Sequence, residues 1–218
     1  MAGTLATGRP EVHMGSGGGG FREDGFGDFG RGGGLPPESV RRIYHTGMWL
    51  ALLAISMLFV AFTSAYIVRS GLSNDWQPIE LPSLLWWNTL VLVLSSLTLQ
   101  QTRQALSSGL RVGCNRWLTA TLLLGLGFLA GQLWVWRQLV GHGIYLATNP
   151  SSSFFYVLTG VHGLHLLGGL LALFYIAWEA WRYRLGPVRR TLVEVTATYW
   201  HFMGGLWIYI LMLLWLWR

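Results

Sequence analysis

The sequence predicts an all-α integral membrane protein, a bundle of five transmembrane helices with the N-terminus cytoplasmic and the C-terminus periplasmic. Three observations predict it. The 218 residues are 52% hydrophobic and only 11% charged, where a soluble domain carries about a quarter charged residues. The apolar residues gather into five runs, each long enough for a helix to cross the hydrocarbon core of a bilayer. The basic residues, all arginines, sit mainly between the runs, where topology is decided.

Residues 1–40 read as a disordered tail. They hold 13 of the 29 glycines, including Gly17–Gly20 and Gly32–Gly34, with too little apolar surface to fold alone. A flexible tether explains them better than a contact element built on Phe21, Phe26 and Phe29. A phosphate-binding loop is disfavoured, because no strand precedes these glycines and no Gly-Lys-Ser/Thr follows. No apolar run marks a cleavable signal peptide in these forty residues.

A membrane domain over 41–218 then carries runs at about 44–68, 83–103, 117–140, 154–178 and 192–217. In lipid the backbone must satisfy itself, so each run is a helix; the runs are twice strand length and lack alternation, which excludes a β-barrel. Pro82 and Pro187 are expected in connections, where a missing backbone donor does least harm. The run at 154–178 has no charge and carries His162 and His165 among Gly160, Gly163, Gly168 and Gly169. Glycines let a neighbouring helix approach closely, so the other helices are expected to pack around this one.

Arg41 and Arg42 precede the first helix. Arg103, Arg111 and Arg116 lie between the second and third, and Arg182, Arg184, Arg189 and Arg190 between the fourth and fifth. The first loop instead carries Asp75 and Glu80. This alternation sets the orientation. The tryptophans agree: Trp76, Trp86, Trp87, Trp134, Trp136, Trp215 and Trp217 fall at outer ends and Trp117, Trp178 and Trp181 at inner ends, as two aromatic belts do. The net charge of +6 is accounted for by topology and gives no reason to invoke nucleic acid. The single cysteine, Cys114, makes no intrachain disulfide and reads as a bystander.

Polar groups inside a membrane are costly and each needs an account. His165 and His201 are expected near the midplane, Gln132 near the depth of His162, and Asn88 and Thr89 at the outer start of the second helix. Glu194 lies two turns before His201, on nearly the same face. Three readings compete for the histidines. A metal or haem could use the pair at i, i+3, but no cysteine or carboxylate sits at matching depth and His162, His165 and His201 make a thin set. A proton relay could run through Glu194 and the histidines, although it ends at the midplane. The third reading is structural, with interhelical hydrogen bonds and lipid head-group contacts fixing the bundle. Physical chemistry alone favours the third. No Ser-His-Asp set, inward carboxylate pair or nucleotide fingerprint is present, and nothing resembles the paired halves and broken helices of a transporter.

The run SSSFFYVLTGVHGLHLLGG (151–169) resembles the Ser-x-Phe-Phe-x-x-Thr-Gly-x-His-Gly-x-His signature of subunit III of haem–copper oxidases. Glu194 followed by Tyr199-Trp200-His201-Phe202 matches that family's Glu-x6-His spacing and its Tyr-Trp-His-Phe. LPSLLWWNTLVLVLSS (81–96), LGFLAGQLW (126–134) and GMWLALLAISMLFVAFTSAYIV (47–68) are similar to its Pro-x-x-x-x-Asn-Thr helix, its glutamine-bearing helix and its Gly-x-Trp-Leu entry helix. The likeness runs in order over about 44–217 and fits cytochrome c oxidase subunit III in its short five-helix form.

The resemblance implies a non-redox accessory subunit of a proton-pumping terminal oxidase in a bacterial inner membrane. It implies no cofactor, metal or catalytic residue on this chain, with haem and copper on partner subunits. Subunit I is the implied main partner, with subunit II and other members in the complex. The implied work is to stabilise the catalytic subunit, hold phospholipid and support proton uptake during aerobic electron transport. His162, His165, Glu194, His201, Gln132, Asn88 and Trp200 are then expected to make helix or lipid contacts. Three positions depart from the family's pattern. Ile55 stands where an embedded glutamate is usual, Gln132 is followed by Leu133 through Trp136 without the usual acid, and Gly204 or Gly205 replaces the aspartate after Trp-His-Phe. The missing embedded carboxylate favours the structural and lipid-holding reading over proton conduction. A subunit III-like partner of a quinol oxidase or nitric oxide reductase stays open, as does a free-standing membrane transporter.

Overall fold

A computed structural model describes residues 37–72, 76, 82–109, 111–182 and 187–216. It holds five helices: α1 (Pro37–Leu72), α2 (Leu84–Ser107), α3 (Arg111–Gly141), α4 (Pro150–Trp181) and α5 (Pro187–Leu216). All five expected runs are helical; α1, α3 and α4 extend past both expected ends, α2 past its C-terminal end and α5 past its N-terminal end. α1, at 36 residues, is about 54 Å long, well beyond a hydrocarbon core of about 30 Å. It begins inside the stretch assigned to the tail; residues 1–36 and the acidic Asp75 and Glu80 lie outside the described residues. Pro187 opens α5 instead of lying in a connection. Proline suits the first turn of a helix, where its missing N–H leaves no bond unmade.

Four helices, α1, α3, α4 and α5, are long and apolar enough to cross a membrane; α2 is long enough but less apolar. With these spans the chain is a multi-pass membrane protein. Its connections are built from recognisable sequence. α3 ends with Gly143 at φ +77°, its N–H on Val140 O at 3.0 Å, and the Ile144 N–H reaches Leu139 O at 3.0 Å. This paired pattern closes a helix on a left-handed glycine. α4 opens on a reciprocal cap: Asn149 Oδ1 accepts from Ser152 N at 2.7 Å, and Ser152 Oγ accepts from Asn149 N at 3.1 Å, with Pro150 at the first helical position. The Asn-Pro-Ser-Ser run therefore starts α4 four residues before the expected 154.

α2 and α3 form the most closely paired hairpin. α4 touches α1, α3 and α5, while α5 touches α1, α2 and α4. α2 makes no helix–helix contact with α4, so the bundle centres on the α4–α5 pair and not on α4 alone. The largest fully buried side chains, Trp200 and Trp207, both belong to α5. The glycine expectation holds at Gly169, where a Cβ would come within 2.9 Å of the Tyr199 ring, but a Cβ at Gly163 or Gly168 would meet nothing within 4 Å.

Candidate functional site

The buried polar side chains of α2–α5 face other helices and not the outer surface. Asn88, at the start of α2, donates from Nδ2 to Phe128 O of α3 at 3.1 Å. Its carboxamide packs so closely on Gly131 that any Cβ there would collide with it. Ser95, two turns further along α2, accepts from Trp200 Nε1 of α5 at 3.1 Å and donates to Thr121 O of α3 at 3.4 Å. Thr98 and Thr121 meet at 2.9 Å. Trp207 Nε1 donates to Thr89 Oγ1 at 2.9 Å, and Trp136 Nε1 donates to Thr159 Oγ1 at 3.2 Å. Thus each buried indole N–H is matched to a hydroxyl on another helix, as a buried tryptophan requires.

The two α4 histidines do not share a site. His162 is fully buried and turns toward α3 and α5, its ring 6.3 Å from Phe128 edge-on and 5.1 Å from Trp207. His165 turns toward α1, edge-on to Phe59 at 6.1 Å, with Nδ1 2.8 Å from Val161 O. A carbonyl only accepts, so Nδ1 carries the proton in that bond. Tyr199 Oη donates to His165 O at 2.8 Å. Among the described residues no three His, Cys, Asp or Glu side chains gather together.

Gln132 is buried one helical turn from Phe128 and one from Trp136 on α3. Both of those residues contact α4, at His162 and Thr159, so Gln132 lies at the depth of His162, as expected. Neither its amide atoms nor the ring nitrogens of His162 have a hydrogen-bond partner among the described residues. Asn88 and His162 thus both meet α3 at Phe128, one turn from Gln132, and Trp200 bonds Ser95 two turns further along α2.

Glu194 and His201 lie elsewhere. The Glu194 carboxylate is 3.6 Å from Arg41 Nη2 and 3.9 Å from His45 Nε2, both on α1. His201 faces α2 across a groove that also holds Ser96, Gln100, Gly204 and Gly205. Sequence reasoning missed Arg41 and His45 as partners of Glu194, because no periodicity reports which face of α1 meets α5. It also missed Ser95, Thr98, Thr121 and Thr159. The visible signal for Ser95 was the seven-residue step from Trp200 to Trp207, matched by the six-residue step from Ser95 to Thr89 on an antiparallel neighbour.

The family model described as cytochrome c oxidase subunit III matches residues 33–218. A probable cytochrome c oxidase subunit 3 of Mycobacterium tuberculosis is 34% identical over 168 residues, covering 75% of this chain and 81% of that protein. The cytochrome c oxidase subunit 3 of Synechocystis is 33% identical over 177 residues, covering 78% and 74%. The cytochrome bo(3) ubiquinol oxidase subunit 3 of Pseudomonas putida is 28% identical over 168 residues, covering 74% and 80%. With the match of the family model spanning the whole helical domain, the chain belongs to the cytochrome c oxidase subunit III family.

Proposed function

We propose that this chain is the non-redox accessory subunit of a proton-pumping haem–copper terminal oxidase in a bacterial inner membrane. It sits against subunit I, in a complex that also holds subunit II, stabilises the catalytic subunit, holds phospholipid and supports proton uptake. Haem, copper and the dioxygen chemistry belong to the partners. One observation carries the structural part of this reading: the buried hydroxyls, indoles and Asn88 are engaged in bonds between helices. Such bonds fix neighbours, each contributing roughly 1 kcal/mol or less in a membrane. Ile55, buried where the family usually has a glutamate, supports an indirect part in proton uptake.

In this reading all five helices cross the bilayer, with the N-terminus cytoplasmic. The lower apolarity of α2 is consistent with a span, because Asn88, Ser95 and Thr102 are buried while Trp86, Trp87, Leu90, Val93, Leu94 and Leu97 are exposed. Its polar face is turned to protein and its apolar face outward.

The chain purified from its own membrane in mild detergent is expected to bring a large haem-containing subunit with it. Isolation as a stable monomer without haem in the fraction would overturn the assignment. A quinol oxidase is the second reading, favoured by the likeness to a ubiquinol oxidase subunit. Assaying the purified complex with reduced cytochrome c and with a quinol separates the two.

A further inference from the structure

At the contact of α3 with α4, four buried polar atoms have no hydrogen-bond partner among the described residues: both amide atoms of Gln132 and both ring nitrogens of His162. Their neighbours differ. Asn88, Ser95, Thr159 and Trp200 are buried as deeply, and each is bonded. His162 is 0% exposed and Gln132 3%, so bulk water does not reach them. The two side chains also lie at one level of the helix pair. Phe128, one turn before Gln132, meets the His162 ring at 6.3 Å, and Trp136, one turn after it, donates to Thr159, three residues before His162. Gln132 is thereby placed opposite the α4 segment between Thr159 and His162.

An orphaned polar group in a low-dielectric interior loses its hydration without return, and hydrocarbon offers no replacement. One direct bond between the amide and the imidazole would satisfy one atom on each side and leave the other two. The chemistry of the set narrows the ligand. The amide brings two N–H donors and an acceptor oxygen, and a neutral imidazole brings one donor and one acceptor. No three His, Cys, Asp or Glu side chains gather here or elsewhere among the described residues, so the set offers no negative charge to a cation and too few ligands to a transition metal. The ring stands beside Phe128 and Trp207, at 6.3 and 5.1 Å, and the Trp207 N–H is committed to Thr89. These walls give a larger polar ligand nothing further to bond. An uncharged molecule that both donates and accepts, and is small enough to be enclosed, meets every condition. Water does so, and internal water makes about three bonds to otherwise unsatisfied groups.

We propose that Gln132 and His162 form an internal water site: at least one water molecule bridges the Gln132 amide to a His162 ring nitrogen and ties α3 to α4 inside the bundle, beside the direct Trp136–Thr159 bond. Every group it uses is on this chain, so the site goes beyond the accessory role proposed above and does not rest on it. It gives the first histidine of the His-Gly-x-His run a task other than ligating a metal. Where Asn88, Ser95 and the indoles join helices directly, this pair joins them through solvent.

The full chain, purified from its own membrane with whatever partners accompany it, tests this. A high-resolution map of the wild type is expected to show solvent density within about 3 Å of one Gln132 amide atom and of one His162 ring nitrogen. Well-resolved side chains with no solvent between them overturn the site, as does a map in which another chain supplies their partners. Two substitutions then read the link in solution. Gln132→Met keeps the length of the side chain and removes the amide; His162→Phe keeps an aromatic ring beside Phe128 and Trp207. If one water molecule serves both residues, His162→Phe lowers the unfolding midpoint less than about half as far in the Gln132→Met background as it does in the wild type. Equal shifts in the two backgrounds mean that the residues are not coupled and overturn the bridge. Coupling without solvent density overturns it too, since a direct bond would then link the pair. Should either variant fail to assemble, the map of the wild type decides alone.

Discussion

α1 and the α2–α3 hairpin are both membrane-type helices, yet they are fastened in opposite ways. α1 is the most apolar of the four long spans and the least covered by the rest of the protein. Trp49, Leu50, Leu53, Met57 and Val60 are exposed along it. It is tied to the bundle by Tyr209 Oη to Thr63 Oγ1 at 3.0 Å, by the Phe59–His165 edge contact, and by Arg41 with Glu194. α2 is less apolar, but Asn88, Ser95 and Thr98 bond it to α3, and Thr89 and Ser95 bond it to α5. Apolar surface does not drive helices together when lipid is equally apolar; small residues and polar bonds do. The helix richest in hydrophobic residues is therefore the one held least, and its outer face is free for lipid or another subunit.

This contrast can be broken at its strongest point first. Trp200→Ala removes a fully buried indole at the junction of α2, α3 and α5 and leaves Ser95 without its donor; the expected loss is about 3–5 kcal/mol, the range for large aromatic truncations. Denaturation followed by tryptophan fluorescence or circular dichroism in detergent reads it. Next, Gly131→Leu drives a side chain into the Asn88 carboxamide and is expected to destabilise by about 1–3 kcal/mol through overpacking. Asn88→Ala in the same background should recover part of that loss; if it recovers none, the close approach of α2 to α3 is not what Gly131 protects. The smallest effect belongs to α1. Glu194→Gln weakens a pair whose partners are 40% and 63% exposed, so solvent screening limits the change to under about 1 kcal/mol, shrinking further in high salt. If Glu194→Gln matched Trp200→Ala in the unfolding assay, α1 would be anchored as firmly as α2 and the comparison would fail. If instead it lowered proton uptake with assembly and lipid content intact, a relay through Glu194 would replace the structural reading of that residue.

The helices were legible in the sequence because a bilayer demands long uninterrupted apolar runs, and nothing in a run such as 154–178 competes with that demand. Their ends were less legible. The expected boundaries tracked where apolarity stops, whereas α1 continues through Arg41 and Arg69 and α3 begins ahead of Arg116, and arginine is a good helix former. The residues at the site were found by their rarity, and Asn88, Gln132, His162 and Trp200 indeed lie in the interior. Their partners were not found. Serine and threonine are common in such helices, so Ser95 does not stand out until Trp200 is seen to reach it. Periodicity fails for the same residues: α4 is apolar on nearly every side, so its sequence does not report that His162 turns to α3 and α5 while His165 turns to α1. The centre of the bundle was misplaced for a related reason. Glycines and histidines drew attention to α4, but the two indoles that fill the interior are on α5.

The join between α3 and α4 has a consequence of its own. Gly143 reverses the chain, Tyr156 Oη reaches back to Ile144 O at 2.9 Å, Ser153 Oγ binds Leu146 O at 2.6 Å, and Thr148 Oγ1 accepts from Tyr145 N at 2.8 Å. These few residues bind one another and ask nothing of membrane, lipid or companion chain. A clasp so self-contained is expected to hold Trp136 beside Thr159 without help from α1 or α2, and to be cut slowly in limited proteolysis.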